Sequence, residues 1–287
     1  MSPYIIIPAT IVAISSASIL IRSCDAPAMT IASYRLVFAA LFMLGTTGIK
    51  KTNPWKNLTR RDFNLAVIAG FCLALHFAAW ITSLSYTSVA SSVVLVSTTP
   101  IFVGVGSWLF LREQLSRSLI ISICLTLAGT VVLGLQDSGQ QATTFHGDAL
   151  ALLGAIAIAG YFLIGRKLRK TMTNLSYVAV VYSISALFLS AVAFTTAQPL
   201  VGFSVETYFL LFLIAFIPQA IGHTGLNWAL KHLSATAVAI LTLSEPIGAS
   251  LLALFILGEK LAGIQILGGT IIIAAVALAF RDESRRF

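Results

Sequence analysis

Two charged residues, Arg35 and Glu245, fall inside long stretches of the chain that are otherwise apolar. A charge at membrane depth costs about 2.5–3.5 kcal/mol on insertion scales, so each calls for a partner, water or a function. Glu245 stands directly before Pro246, and proline leaves a helical carbonyl without its donor. A carboxyl group there suits uptake of a proton or contact with a substrate amine; the competing reading is a salt bridge, or a protonated cap on freed backbone groups. Arg35 is a candidate contact for a substrate carboxylate or a partner for Glu245. A packing role, gripping helix ends or carbonyls, is the favoured reading for it, because long cationic side chains snorkel.

Gln219, His223 and Asn227 follow one another at four-residue steps, which places them on one face of an α-helix. Such a stripe facing lipid would be costly, so a wet interior is expected in front of it. His76 and Trp80 repeat that spacing elsewhere. Histidine titrates near neutrality, so His76 and His223 suit a proton relay, although an interhelical hydrogen bond is the simpler reading of either alone. Trp80, Tyr86, Tyr161 and Trp228 can supply an aromatic wall. The candidate substrate-binding set is thus His76, Trp80, Tyr161, Gln219, His223, Asn227, Trp228 and Arg35, with Glu245 for proton coupling. The hydroxyls Ser91, Ser92, Ser97, Thr98 and Thr99 read mainly as glue between packed helices.

The elements that position these groups follow from composition. The 287 residues are 58% hydrophobic and 10% charged, with a mean hydropathy of +0.95. Soluble domains carry about 25% charged residues, so a soluble globular or disordered chain is excluded. Crossing a bilayer takes about 20 apolar helical residues, and ten such runs appear: 3–21, 27–49, 63–85, 89–111, 119–135, 149–165, 176–197, 208–230, 234–257 and 261–280. The runs are too long, and alternate too little, for a β-barrel. The first has no basic leader and no small-residue cleavage site, so it is expected to stay as a helix. Cys24, Cys72 and Cys124 have unrelated spacings and form no metal or redox motif.

The net charge of +8 is a topology signal. Fifteen of the eighteen Lys and Arg residues fall in the even-to-odd loops and the C-terminal tail. By the positive-inside rule those segments, and both termini, are expected in the cytoplasm of a cell (plasma or inner) membrane protein. Nucleic-acid binding has no support.

Shifting the chain by 146 residues lays Leu84–Leu115 over Leu230–Leu261 without a gap. Leucine matches are cheap in this composition. The paired Pro100/Pro246 and Glu113/Glu259, thirteen residues apart in both copies, are not. Five helices per half is an odd number, so the second half is expected to be inverted relative to the first. The expected fold is all-α and integral to the membrane, ten transmembrane helices as two inverted five-helix repeats. The repeats are read as 1–135 and 148–280, with a polar linker at 136–147 and a tail at 281–287. Glu113 and Glu259, at helix ends, are expected to cap or pair.

The segments STTPIFVGVGSWLFLREQLS (Ser97 to Ser116) and LSEPIGASLLALFILGEKLA (Leu243 to Ala262) resemble the duplicated signature of the EamA-type transporters of the drug/metabolite transporter superfamily. So do SYTSVASSVVLV (Ser85 to Val96) and ASYRLVFAAL (Ala32 to Leu41). The resemblance covers essentially the whole chain and implies a ten-helix exporter of small metabolites such as amino acids. One departure is that Thr99 precedes the proline of the first repeat where Glu245 precedes that of the second.

There is no Walker loop, HExxH, CxxC or GxSxG, so neither an enzyme nor a cofactor is expected. The leading expectation is a secondary transporter, monomeric or homodimeric in the bilayer, that moves a small molecule by alternating access with possible coupling to protons. The alternatives are a ligand sensor or intramembrane enzyme, or an uncoupled facilitator of another class such as nucleobases.

Overall fold

The computed structural model describes residues 3–56, 58–87, 89–135, 145–257 and 263–284. Glu259, most of the expected linker (136–144) and the end of the tail (285–287) lie outside the described residues. Among the described residues nine helical segments are long and apolar enough to cross a membrane, and Arg117–Val132 is apolar but shorter. The chain is an all-helical, multi-pass membrane protein.

The first span is α1 (Pro3–Ser15) with α2 (Ala17–Arg22), the second α3 (Ala28–Ile49) and the third α4 (Arg60–Ser83). The fourth is built from α5 (Val89–Val96), α6 (Thr99–Gly106) and a π-helical turn, Ser107–Leu111. Next come α7 (Arg117–Gly134), α8 (Phe145–Leu168) and α9 (Asn174–Thr195). The eighth span joins α10 (Val205–Ile214), a π-helical stretch at Ala215–His223 and α11 (Thr224–His232). The ninth is α12 (Ala235–Thr242) and α13 (Glu245–Leu257), and the last is α14 (Gly263–Ser284).

Local chemistry sets several of these boundaries. The Thr59, Ser116, Thr173, Ser204 and Ser234 hydroxyls each accept from the backbone N–H three residues on, at 3.0–3.2 Å, filling orphan donors at a helix start. The chain turns left-handed at a residue other than glycine at Arg112 (φ 56°), after the π-helical turn, and at the ends of α3 and α9, Lys51 (φ 50°) and Ala197 (φ 51°). At the ends of α3 and α9 the next N–H reaches back five residues at 2.9 Å, Thr52 to Thr47 O and Gln198 to Ala193 O, which is the Schellman closure.

The 146-residue offset runs through these elements. Helices α3 and α9 begin at 28 and 174, α5 and α12 at 89 and 235, α6 and α13 at 99 and 245, α7 and α14 at 117 and 263. The left-handed residues 51 and 197 obey it too. Each half therefore breaks the same helix in the same place, just before its proline. Packing also pairs counterparts: α3 lies along α9 and α7 along α14, while α4 packs on α8 and α1 on the eighth span.

Small residues permit the closest of these approaches. A Cβ on Gly225 would land on the Thr10 hydroxyl, and one on Gly248 on that of Ser15, so the first span seats against the eighth and ninth only because both positions lack side chains. Large apolar side chains such as Leu187, Phe110 and Phe255 point outward, where lipid solvates them.

Candidate functional site

The Arg35 side chain projects from α3 into the protein and is 1% exposed. Its Nε donates to Gln219 Oε1 at 2.8 Å, and its guanidinium carbon lies 4.1 Å from the centroid of the Phe77 ring. A charge-assisted hydrogen bond and a cation–π contact thus hold it from two sides. Helix ends and carbonyls, the packing partners expected from sequence, are not what it grips. Nη1 of Arg35 and Nε2 of Gln219 are buried and complete no hydrogen bond, with the Tyr182 hydroxyl beside the Gln219 amide.

Gln219 belongs to the π-helical stretch Ala215–His223, which contains Pro218. Proline cannot donate and crowds the preceding turn, and a wider helical turn accommodates it. Gln219 and Asn227, two members of the expected stripe, both lie against the Tyr182 hydroxyl, and each has a further partner of its own. Gln219 turns to Arg35 on α3, while Asn227, on α11, turns to Tyr161 on α8 and Tyr182 on α9.

Phe77 organises the middle of the site. Besides Arg35 on its face, it meets the His223 ring at 5.4 Å, edge to face, and the His76 ring at 4.9 Å. His76 Nδ1 lies 2.9 Å from Gly154 O; a carbonyl only accepts, so that nitrogen carries the hydrogen. The His76 imidazole stacks on Trp80 at 5.9 Å. No hydrogen bond joins His76 to His223, and the Phe77 ring contacts both. His223 Nδ1 and Trp80 Nε1 are buried without partners.

Glu245 opens α13 immediately after the break in the ninth span. It is half-buried. It lies in the electrostatic field of Arg35, but the two close no direct ion pair. Its counterpart in the first repeat, Thr99, instead spends its hydroxyl on Val96 O at 2.7 Å.

Tyr182 links the cluster to Asn227 and Tyr161, while Trp228 and Tyr86 pack elsewhere. Tyr161 donates to Asn227 Oδ1 at 2.8 Å, and Asn227 Nδ2 to the Tyr182 hydroxyl at 3.3 Å; Tyr182 also meets Thr224 Oγ1 at 3.3 Å. Tyr161, Tyr182 and Asn227 are all fully buried. Trp228 packs on His232 and Tyr86 on His146.

Near the loops rich in Lys and Arg, Arg166 Nε donates to Glu113 Oε1 at 2.9 Å, and Nη1 donates to Leu230 O at 2.8 Å and Lys231 O at 3.2 Å. Glu113 therefore pairs, as its helix-end position suggested. Arg169 Nε binds Asn227 O at 2.9 Å, and its Nη1 binds Met172 O. Burial lowers Arg169 to about 10, still far enough above neutrality to keep it charged.

Sequence reasoning passed over Phe77, Tyr182 and Thr224. Phe77 adjoins His76 but reads as one more apolar residue. Tyr182 stands in a run that also carries Tyr177, Ser183 and Ser185, and nothing in the sequence singles it out.

Ten spans built from a duplicated unit, broken at matching points around a buried polar centre, define a helical membrane carrier. The chain matches the EamA-like transporter family over residues 2–135 and 145–281, and it belongs to that family. It is 28% identical over 251 residues to the uncharacterized transporter YwfM of Bacillus subtilis, covering 85% of this chain and 81% of that one. An uncharacterized transporter of Archaeoglobus fulgidus is 24% identical over 219 residues, 75% of each chain. A protein solved by crystallography shares the fold with a TM-score of 0.84 at 15% identity, covering 98% of this chain and 96% of that one. The protein is a membrane transporter.

Proposed function

We propose that this protein is a secondary transporter that exports a small metabolite, with amino acids as the leading substrates, across the cell membrane. In this reading the two five-helix halves are inverted relative to one another. They exchange near-equivalent conformations around the centre formed by Arg35, Gln219, His76, His223 and Glu245. The observation that carries the reading is the matched break of the fourth and ninth spans before α6 and α13, with an ionisable group at the second break and a buried cation facing it. Discontinuous helices are where carriers place substrate and coupling-ion contacts. The side-by-side packing of α3 with α9 and of α7 with α14 supports a two-fold relation between the halves. The asymmetry Thr99 against Glu245 confines a titratable carboxyl to one half, which favours coupling to protons at Glu245.

The test is exchange of labelled amino acids across proteoliposomes containing the purified chain, with and without a pH gradient. Saturable exchange accelerated by the gradient is expected. No exchange of any amino acid by demonstrably folded protein overturns the substrate reading, and nucleobases are then the next class to assay.

A further inference from the structure

A seam divides the inner spans into two groups. Helix α8 packs on α4, α5 and α6, so the third, fourth and sixth spans form one group. His76 to Gly154 O, Ser83 to Ser92 and Thr87 to Asp148 are hydrogen bonds within it. Helix α1 packs on the eighth span and on α13, which makes the first, eighth and ninth spans the other group. Among the described residues the seam is packed where α11 and α12 meet α6 and α8, toward the face rich in Lys and Arg. Helices α5 and α13, the halves of the fourth and ninth spans toward the opposite face, share no comparable packing. The seam is shut at the basic face and looser at the other.

The fastening at the basic face comes from the sixth span. Helix α11 ends at His232, so the carbonyls of Leu230 and Lys231 find no helical N–H, and the helix dipole favours a cation beside them. Arg166 Nη1 donates to both, at 2.8 and 3.2 Å, and Arg169 Nε adds Asn227 O at 2.9 Å. These bonds cross the seam. The bond from Arg166 Nε to Glu113 Oε1 does not, because Glu113 follows the fourth span, in the same group as the sixth. When the groups part, the ion pair stays assembled and keeps the arginine aimed, and only bonds to neutral carbonyls break. The contact with Lys231 O is exposed, so water takes over the freed groups and the fastening is reversible.

We propose that Arg166, aimed by Glu113, is the latch that shuts the transport path at the basic face, and that release of the Leu230 and Lys231 carbonyls opens it. The inference rests on the transporter reading and adds the contact that its change of conformation must break.

The experiment is distance measurement by pulsed electron paramagnetic resonance on the full chain in proteoliposomes, with Cys24, Cys72 and Cys124 replaced by alanine. One nitroxide pair, on Lys167→Cys and Lys231→Cys, reads the ends of the sixth and eighth spans at the basic face. A second, on Phe145→Cys and Val205→Cys, reads the opposite ends of the same two spans; all four positions are exposed. Arg166→Gln is expected to raise the population at longer distance across the basic face at least about tenfold, the worth of a bond from a charged donor. The same variant is expected to shorten the distance of the second pair, whereas loss of fold would spread both. Unchanged distances in Arg166→Gln would overturn the latch. Should that variant lose its fold, Glu113→Gln decides, because it keeps both carbonyl contacts and loses only the group that aims the arginine. A smaller shift in the same directions supports the latch, and an unchanged distribution overturns it. Lengthening at the basic face with no change at the opposite face would keep the latch and overturn alternating access between the two halves.

Discussion

Arg166 on the sixth span donates through Nε to Glu113 Oε1 at 2.9 Å, tying the end of the fourth span to the sixth. The same guanidinium binds Leu230 O and Lys231 O at the end of the eighth. One side chain therefore holds three helix ends together. Glu113→Gln removes one charge-assisted contact and is expected to cost about 1.5–3 kcal/mol. Arg166→Gln releases the carboxylate and both carbonyls and is expected to cost more. Thermal unfolding in detergent checks the order, and equal effects would show that the carbonyl contacts contribute nothing.

The close seat of the first span on the eighth predicts a rescue. Gly225→Ala drives a methyl group onto the Thr10 hydroxyl and is expected to cost about 1–3 kcal/mol as overpacking. Thr10→Ala in the same chain should recover most of that loss. Gly45→Ala, where a Cβ meets open space, is expected to be neutral or slightly stabilising. Failure of Thr10→Ala to help would mean that backbone, not the hydroxyl, limits the approach.

Ala197 adopts φ 51° at the end of α9, a conformation that Cβ disfavours. Ala197→Gly is expected to stabilise the protein by about 0.5–1 kcal/mol. A lower unfolding temperature would show that the left-handed turn is not strained there.

The buried contact of Tyr161 with Asn227 predicts a stability effect. Tyr161→Phe leaves Asn227 Oδ1 without its 2.8 Å donor and is expected to cost about 1–3 kcal/mol. Asn227→Leu strands the Tyr161 hydroxyl and removes one of the partners of the Tyr182 hydroxyl, and should cost more. Unchanged unfolding with lost transport would instead put these residues in contact with substrate.

Glu245→Gln is expected to abolish pH-gradient-driven flux while the protein still inserts and folds. Flux assays at matched and unmatched internal pH read this directly. Full pH-dependent transport in the variant would remove Glu245 from the coupling step.

The sequence alone was enough for the all-helical membrane class, the ten spans and the duplicated unit. Lipid allows a backbone to cross it unpaired nowhere, so apolar run length translates directly into helices. Pro100 and Pro246 also marked where two spans break, because proline removes a donor wherever it stands. The pairings between helices were decided only in three dimensions. Four-residue spacing grouped Gln219, His223 and Asn227, but their partners Arg35, Phe77 and Tyr161 come from other helices that spacing does not name. Phe77 shows the same limit, since its role comes from what three other residues place against its ring. Arg35 and Glu245 stood out in the sequence as costly charges. That Arg35 is held by an amide and a ring, apart from the carboxylate, is a matter of packing between distant segments, which run length and residue spacing do not encode.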